Sequence, residues 1–180
     1  PASSCPACRH LAFSTAHRSA PEVELYYNDY GTEELNPKSD AVYLLLKSMK
    51  RRKIPVDGIG FQMHLRPDVE YDFDSVRKNF ARFAELGLKI QVTEIDARID
   101  LDASEQTRHD QAEKQAENYY KFARICLEQP ACKAIVTWTP TDKYQFRSKQ
   151  HPNWAAGGLL DSDLNPKEAY HQLLKALKEK

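Results

Sequence analysis

The sequence predicts an α/β fold in which parallel strands alternate with amphipathic helices. Short apolar runs, rich in β-branched and aromatic residues, alternate along the chain with stretches whose apolar residues recur at helical spacing. The strand–helix unit occurs four times, and each unit is roughly 30 to 45 residues long. Each predicted strand also ends in polar or aromatic residues. Such alternation implies a parallel sheet joined by right-handed crossovers.

The first unit begins with a predicted strand from Val23 to Tyr30. After Pro37, Asp40 is placed to cap a helix, because its carboxylate would accept from the free backbone N–H groups of the first turn. The apolar face of that helix is predicted at Val42, Leu45, Leu46 and Met49.

The second unit has its strand at Gly58 to His64, and the third has its strand at Leu88 to Ile95. The helix between them is predicted to end at Gly87, which suits a left-handed C-terminal cap. Its apolar face is predicted at Phe73, Val76, Phe80 and Phe83. A long helix from about Ser104 to Gln129 completes the third unit.

The fourth strand is predicted from Ala134 to Trp138, and a polar loop follows as far as Asn165. Pro166 is expected as the first residue of a last helix. Four such units suit half of a (β/α)8 barrel of the TIM type, since a complete barrel has eight units and about 250 residues. We expect residues 1–20 to be a tail or partial helix, and residues 21–180 to be the half-barrel.

Composition narrows the class of partner. The 180-residue chain has 26 basic and 26 acidic residues, which gives a formal net charge of zero. This balance disfavours nucleic acid, because a protein that follows a phosphate backbone needs a basic excess. Since an apolar run of roughly 20 residues is lacking, a membrane is also not expected as partner. The partner is therefore expected to be neutral or unconstrained by charge.

The four cysteines form two close pairs. Cys5 and Cys8 are a lone Cys-x-x-Cys near His10 and His17, which is a weak zinc signal without a second pair. We therefore expect a tail without a metal. Cys126 and Cys132 flank a predicted turn and are compatible both with a disulfide in an exported protein and with two buried thiols.

The predicted strand ends carry the residues for chemistry, because barrel sites form at the carboxyl ends of the strands. At the end of the first strand, Asn28 and Tyr30 are candidates for contact with a sugar. The second strand ends at His64, the third carries Glu94 near its end, and the fourth ends at Trp138. Amides and carboxylates bond sugar hydroxyls, and aromatic faces stack on sugar rings. The pattern predicts a carbohydrate site.

Glu94 is predicted as the nucleophile of a retaining glycosidase, which needs a carboxylate to attack the anomeric carbon. Asp96 follows two residues later, so its side chain leaves the same face of an ideal strand. It would orient His64 and fix its charge or tautomer. His64 would then donate to Glu94. A core histidine is the alternative, which the acidic pair opposite disfavours.

Five segments together resemble successive motifs of the family-10 glycoside hydrolases, in order over residues 21–175. They are Leu25-Tyr26-Tyr27-Asn28-Asp29-Tyr30, Gly58-Ile59-Gly60-Phe61-Gln62-Met63-His64, Val92-Thr93-Glu94-Ile95-Asp96, Trp138-Thr139-Pro140-Thr141-Asp142-Lys143-Tyr144, and Asp161 through Asn165-Pro166-Lys167-Glu168-Ala169-Tyr170.

The resemblance implies a secreted, retaining endo-β-1,4-xylanase without a cofactor, acting on xylan or xylo-oligosaccharides. It implies Glu94 as nucleophile, with Asp96 and His64 as its supporting network. It also implies Gln62 as a contact at the sugar subsite next to cleavage, and Trp138 as the aromatic floor of that region.

Two departures from the family pattern concern aromatic residues. The family's second tryptophan, eight positions after the first, is replaced here by Phe146, which keeps an aromatic face without the indole donor. The segment from His151 to Gly157 also differs, and its Trp154 is expected as a substitute stacking surface.

A further departure concerns the acid/base glutamate, which the family carries in a Trp-x-x-x-Asn-Glu segment before the region matched here. Glu22 and Glu24 do not replace it, because they lie before or inside the first predicted strand. Two alternatives therefore stay open. One is a non-catalytic xylan-binding remnant that uses Trp138, Gln62 and His64. The other is a half-barrel whose uncovered apolar inner face and strand edges assemble with another chain, including a second copy.

Overall fold

The computed structural model describes residues 6–144 and 153–179, and it has the predicted α/β architecture. The strands are β1 (Tyr26–Asp29), β2 (Gly58–Phe61), β3 (His64–Leu65), β4 (Lys89–Ala97), β5 (Ile99–Asp100), β6 (Cys132–Thr137) and β7 (Trp154–Ala155). The helices are α1 (Pro6–Ser19), α2 (Pro37–Arg51), α3 (Phe73–Glu85), α4 (Glu105–Glu128) and α5 (Glu168–Lys178), with a 3-10 turn at Asp142–Tyr144.

A parallel sheet in the order β1–β2–β4–β6 forms the body of the fold. Strand β3 continues along the same edge of β4 as β2, beside the carboxyl-terminal part of β4. Strands β5 and β7 form a separate antiparallel ribbon. Each of the four parallel strands is followed along the chain by one helix: α2 comes after β1, α3 after β2, α4 after β4 and α5 after β6. This arrangement corresponds to half of a (β/α)8 barrel.

One face of the sheet packs on the helices and carries the core. Ile59 and Phe61 of β2 are fully buried, and the ring of Phe61 stacks on Phe80 of α3 with centroids 4.6 Å apart. Val92 and Ile95 of β4 are buried among them. Alternate residues of a strand point to opposite faces, so burial of these positions leaves the intervening residues for the inner face.

The inner face of the sheet is polar and glycine-rich. The prediction of an apolar inner face was therefore wrong. A side chain on Gly58 would collide with the ring of Tyr26, and one on Gly60 would collide with Asn28 and Thr93. These neighbours therefore lie on the inner face. Small residues on β2 make room for large polar side chains on β1 and β4.

The predicted strand from Gly58 to His64 is interrupted at Gln62 and Met63. Met63 has a positive φ of 60°, an uncommon left-handed conformation for a residue with a side chain, and it is fully buried. The buried carboxylate of Glu33 accepts from the Met63 backbone N–H at 3.3 Å. This break separates β2 from β3.

After Val92, strand β4 contains one extra residue relative to the strands on both sides, whereas before it β6 has an extra residue between Cys132 and Ala134. From Val92 to Ile95 it advances three residues, whereas β6 advances two from Ile135 to Thr137. On the other edge the pairs Phe61–Val92 and His64–Asp96 require the same extra residue. This is a β-bulge, which inserts one residue and turns the side chains that follow it.

Two helix starts differ from the prediction. Helix α2 begins at Pro37 and is capped by Asn36, whose side chain accepts from the Ser39 N–H in a reciprocal capping box. Asp40 instead pairs with Arg82. Helix α5 begins at Glu168 because the preceding residues are extended, with Pro166 bridged to Leu160. Gly87 has the predicted left-handed conformation, with φ 72°.

A buried polar row on α4 holds the segment after β7 against β4. Gln115 donates to the carbonyls of Ala97 and Ala156, at 2.5 and 2.6 Å. One turn further along, the Tyr119 hydroxyl donates to the Gly157 carbonyl at 2.7 Å. Burial raises the pKa of this hydroxyl, so it remains a donor.

Cys126 and Cys132 form a disulfide that joins the end of α4 to the start of β6, which decides between the two interpretations left open above. The residues suspected of forming a partial helix before β1 are present as α1, where His10 lies 2.8 Å from Arg52. Within the described ranges, no helix is long and apolar enough to cross a membrane.

Candidate active site

Glu94 lies at the bulge of β4 and is held from two sides. Asn28 at the end of β1 donates its Nδ2 to Glu94 Oε1 at 3.0 Å. The Nε2 of His64, on β3, lies 3.4 Å from Glu94 Oε2. Both oxygens are thus oriented, while the carboxylate stays partly open to solvent. This suits a group that must meet a ligand from the inner face.

His64 connects Glu94 to a buried second carboxylate. Its Nδ1 lies 2.8 Å from Oδ1 of Asp96, which is 1% exposed. The other Asp96 oxygen lies 3.3 Å from Nε of Arg98. Because Nδ1 faces a carboxylate, it carries the proton, and the ring is fixed with Nε2 toward Glu94. A buried charge paired on both sides is tolerated, whereas an unpaired one is not.

Trp138 immediately follows β6 and borders the same site. Its ring meets the ring of His64 edge to face, with centroids 5.6 Å apart, and 43% of the residue is exposed. Gln62, in the break between β2 and β3, is half-buried, and its backbone N–H donates to the Asp29 carbonyl. The ends of four neighbouring parallel strands therefore converge on Glu94.

Tyr30 lies beyond β1 and is 61% exposed, with the ammonium of Lys38 placed 3.7 Å from its ring centroid. Lys38 also pairs with Asp29. Burial acts to raise the pKa of Asp29, but bonds from Lys38 and from the Tyr30 N–H outweigh it, so the pKa is lowered. One face of Tyr30 is thus occupied, and the other is available.

Trp154 of β7 lies in the ribbon with β5, and the guanidinium of Arg66 covers its ring at 4.4 Å. A cation in this position occupies one aromatic face. Stacking of a sugar on Trp154 is therefore restricted to the opposite face. Phe146 and His151 lie outside the residues that the structure describes.

The two early glutamates are remote from Glu94. Glu24 pairs with Lys89, the first residue of β4, and accepts from the Tyr26 hydroxyl. It thus lies near the amino-terminal end of the sheet. Glu22 is exposed in the segment before β1. Across the described ranges, there is also no group of acidic, histidine or cysteine side chains able to hold a metal ion.

Sequence reasoning missed three residues that shape the site, namely Gly60, Thr93 and Arg98. The Thr93 hydroxyl donates to Asn28 Oδ1 at 2.8 Å, and the absence of a side chain at Gly60 makes room for both. The position of Arg98 could have been predicted, since it follows Asp96 by two residues. The position of Thr93 could not, because the bulge breaks the alternation from which the faces of a strand are predicted.

Comparison with known proteins identifies the family. A sequence model described as glycosyl hydrolase family 10 matches residues 9–176. Endo-1,4-beta-xylanase B of Thermotoga neapolitana is 39% identical over 168 residues, which cover 92% of this chain and 46% of that protein. The chain thus spans about half the length of this relative.

Solved structures agree. Native xylanase 10B from Thermotoga maritima superposes with a TM-score of 0.89 at 42% identity, covering 96% of this chain and 52% of that one. Xylanase 10B from Thermotoga petrophila, solved in complex with xylobiose, gives a TM-score of 0.90 at 42% identity and the same coverage. With its parallel half-barrel and its strand-end carboxylates, this chain belongs to glycosyl hydrolase family 10.

Proposed function

We propose that this chain supplies the nucleophile side of a retaining endo-β-1,4-xylanase. The observation that carries the proposal is the orientation of both Glu94 oxygens, one by Asn28 and one by His64, on the open inner face. A carboxylate held in this way attacks the anomeric carbon and forms a covalent glycosyl-enzyme. The xylobiose bound by the Thermotoga petrophila relative supports a xylo-oligosaccharide as ligand.

In this proposal His64 and Asp96 keep Glu94 oriented, and Trp138 contributes an aromatic wall for the sugar. Gln62, Asn28 and Tyr30 provide polar contacts around it. Departure of the sugar's leaving group in polymeric xylan also needs a general acid. In the described part of the chain, the two side chains that contact Glu94 are an amide and an imidazole bonded to Asp96. The described residues therefore favour nucleophilic attack over complete turnover.

The test uses a substrate whose leaving group needs no acid. A dinitrophenyl 2-deoxy-2-fluoro-β-xylobioside should label the 180-residue protein, because Glu94 bonds to the anomeric carbon while dinitrophenolate departs with the electron pair. Mass spectrometry should find the added fluoroxylobiosyl group on the peptide that contains Glu94. Glu94→Gln should abolish the labelling, and Glu24→Gln should label normally.

Absence of labelling in the unaltered protein, or labelling of the Glu94→Gln variant at another residue, would refute the nucleophile role. Xylan turnover should be very low compared with hydrolysis of an aryl xyloside that has a good leaving group. Efficient release of reducing sugar from polymeric xylan by the 180-residue protein would contradict the expected lack of an acid.

We also propose that the protein works outside the reducing interior of the cell. The support is the Cys126–Cys132 disulfide, since such bonds persist in oxidising compartments. Thiol alkylation of protein taken from the culture medium, followed by mass spectrometry, tests this. Protein found only inside the cell with both thiols alkylated would contradict the proposal.

A further inference from the structure

The bulge in β4 gives Asn28 two neighbours on one strand. Thr93 and Glu94 are consecutive, yet both side chains contact the same amide, with Thr93 Oγ1 at 2.8 Å from Oδ1 and Glu94 Oε1 at 3.0 Å from Nδ2. In an unbroken strand, consecutive side chains point to opposite faces. The extra residue therefore places a hydroxyl and a carboxylate side by side against Asn28.

Asn28 has two amide orientations that exchange the positions of its oxygen and nitrogen. In one orientation it donates to Glu94. In the other it turns its own oxygen toward the carboxylate, and two acceptors then face each other. Asn28 is exposed, so surrounding packing alone does not select between them. The selection depends on what bonds the amide oxygen.

The Thr93 hydroxyl is well placed to make this selection. It has one proton and faces two acceptors, Asn28 Oδ1 at 2.8 Å and the Phe61 carbonyl at 3.2 Å. The shorter contact assigns the proton to Asn28. Thr93 is β-branched and therefore stiff about its first side-chain torsion. Its methyl group lies against Gly60, where a Cβ would come within 2.8 Å of it.

We propose that Thr93 is a positioning residue for the nucleophile. It acts through Asn28, whose amide it holds with Nδ2 toward Oε1 of Glu94. This fixes the carboxylate rotamer that faces the anomeric carbon. The proposal rests on the proposed function, because the value of that rotamer lies in the attack by Glu94. Thr93 itself contacts neither the sugar nor the reacting atoms.

The kinetic test separates binding from attack in the labelling reaction described above. Thr93→Val removes the hydroxyl but keeps the shape of the side chain, and Thr93→Ser keeps the hydroxyl. Thr93→Val should lower the maximal labelling rate about tenfold, the effect of one lost hydrogen bond, while the half-saturating concentration changes less than about twofold. Thr93→Ser should restore most of the rate, and Thr107→Val on α4 serves as a control.

A second measurement reports the amide directly. In ¹H–¹⁵N spectra, nuclear Overhauser effects should connect the Asn28 side-chain NH₂ to the Glu94 methylenes in the unaltered protein and in Thr93→Ser, but not in Thr93→Val. Backbone amide shifts away from β1 and β4 should match in all three proteins, which shows that the fold is kept. A purely structural role would instead change stability and leave the labelling rate of the folded protein unchanged.

Failure of the proposed function and failure of the positioning role of Thr93 give different results. If the unaltered protein is not labelled, the proposed function fails, and the Overhauser contacts still decide whether Thr93 orients Asn28. If Glu94 is labelled and Thr93→Val reacts at the original rate, or Thr93→Ser reacts as slowly as Thr93→Val, the positioning role is overturned. Retention of the amide contacts in Thr93→Val would also overturn it.

Discussion

At the scale of single residues, two roles of Trp138 can be tested separately, namely packing in the core and contact with a ligand. Its edge contacts His64, and 43% of the residue is exposed. Core packing would require burial, because an aromatic side chain stabilises the fold mainly by the area it removes from water. The exposed area is instead available to a ligand.

Trp138→Ala should therefore weaken xylo-oligosaccharide binding about tenfold, or ~1.4 kcal/mol, while the thermal midpoint falls little. Calorimetric titration with xylotriose and a thermal melt on the same sample measure the two effects. Tyr120→Ala, on α4 and away from the strand ends, is the control for loss of an aromatic side chain. A large loss of stability with unchanged binding would assign Trp138 to packing.

Glu33 is a buried carboxylate that supports the break between β2 and β3. Burial raises its pKa, although backbone N–H groups of Met63 and Gly31 bond the charged form and oppose this. The folded protein therefore holds the proton more tightly than the unfolded chain. Stability is lost as pH rises from the unfolded pKa, near 4.5, to the raised folded value, and it is constant above that.

Glu33→Gln keeps an oxygen acceptor for these N–H groups and removes the charge. The variant should be more stable than the unaltered protein at pH 7 to 8, and the difference should shrink toward pH 4. Thermal midpoints measured across this range provide the check. Glu85→Gln, at an exposed position on α3, should show no such trend. A variant that is less stable at every pH would contradict the assignment.

At the scale of secondary-structure elements, α4 works through polar contacts as well as through its apolar face. Tyr119 is fully buried on that face, but its hydroxyl bonds the Gly157 carbonyl. Gln115 anchors the same segment. These bonds hold the backbone that leads from Trp154 back toward β4.

Tyr119→Phe should lower the free energy of unfolding by about 1 kcal/mol, because it leaves a buried carbonyl with one partner fewer. Hydrogen exchange should quicken first in residues 154–158 and not in α2. Tyr120→Phe, which removes a hydroxyl bonded at the surface to Glu179, is the control and should change stability less. Uniform acceleration across the chain would mean that the hydroxyl stabilises the whole fold and not this segment.

The elements that obey a simple period were predictable from the sequence. The apolar faces of α2 and α3 follow helical spacing, so Val42 and Phe80 were predicted on those faces and are buried. The relation of Asp96 to His64 followed from alternation after the bulge. The bulge itself was not predictable, because an inserted residue leaves the local composition unchanged and shows only in the pairing of neighbouring strands.

At the scale of the whole molecule, the two outer strands of the four-stranded body of the sheet each pair on one side only within the described ranges. These are β1, paired with β2, and β6, paired with β4. Unpaired edges favour association through backbone hydrogen bonds. An apolar groove of about 310 Å³ also runs beside β6, lined by residues that include Leu127, Ile135 and Leu177.

We therefore expect a dimer or larger species at micromolar concentration in sedimentation equilibrium. Leu177→Lys should shift the protein toward monomer, because it places a charge beside the β6 groove. Leu44→Lys, at an exposed position on α2, should not. Xylanase activity should not rise with association, since a symmetric partner would bring Trp138 to the position where the family carries its acid. A monomer with a sharp cooperative melt would contradict this prediction.

The bulge in β4 has an evolutionary consequence. Deleting one codon at Thr93 or Glu94 would restore plain alternation and bring Ile95 to an even spacing from Val92, so both side chains would stay in the core and Asp96 would keep its face. Only one side chain would then remain beside Asn28, so the deletion would remove the site and leave the packing in place. The extra residue therefore serves the site and not the fold. In a lineage that loses the reaction, we expect this strand to lose the extra residue as readily as Glu94 is replaced.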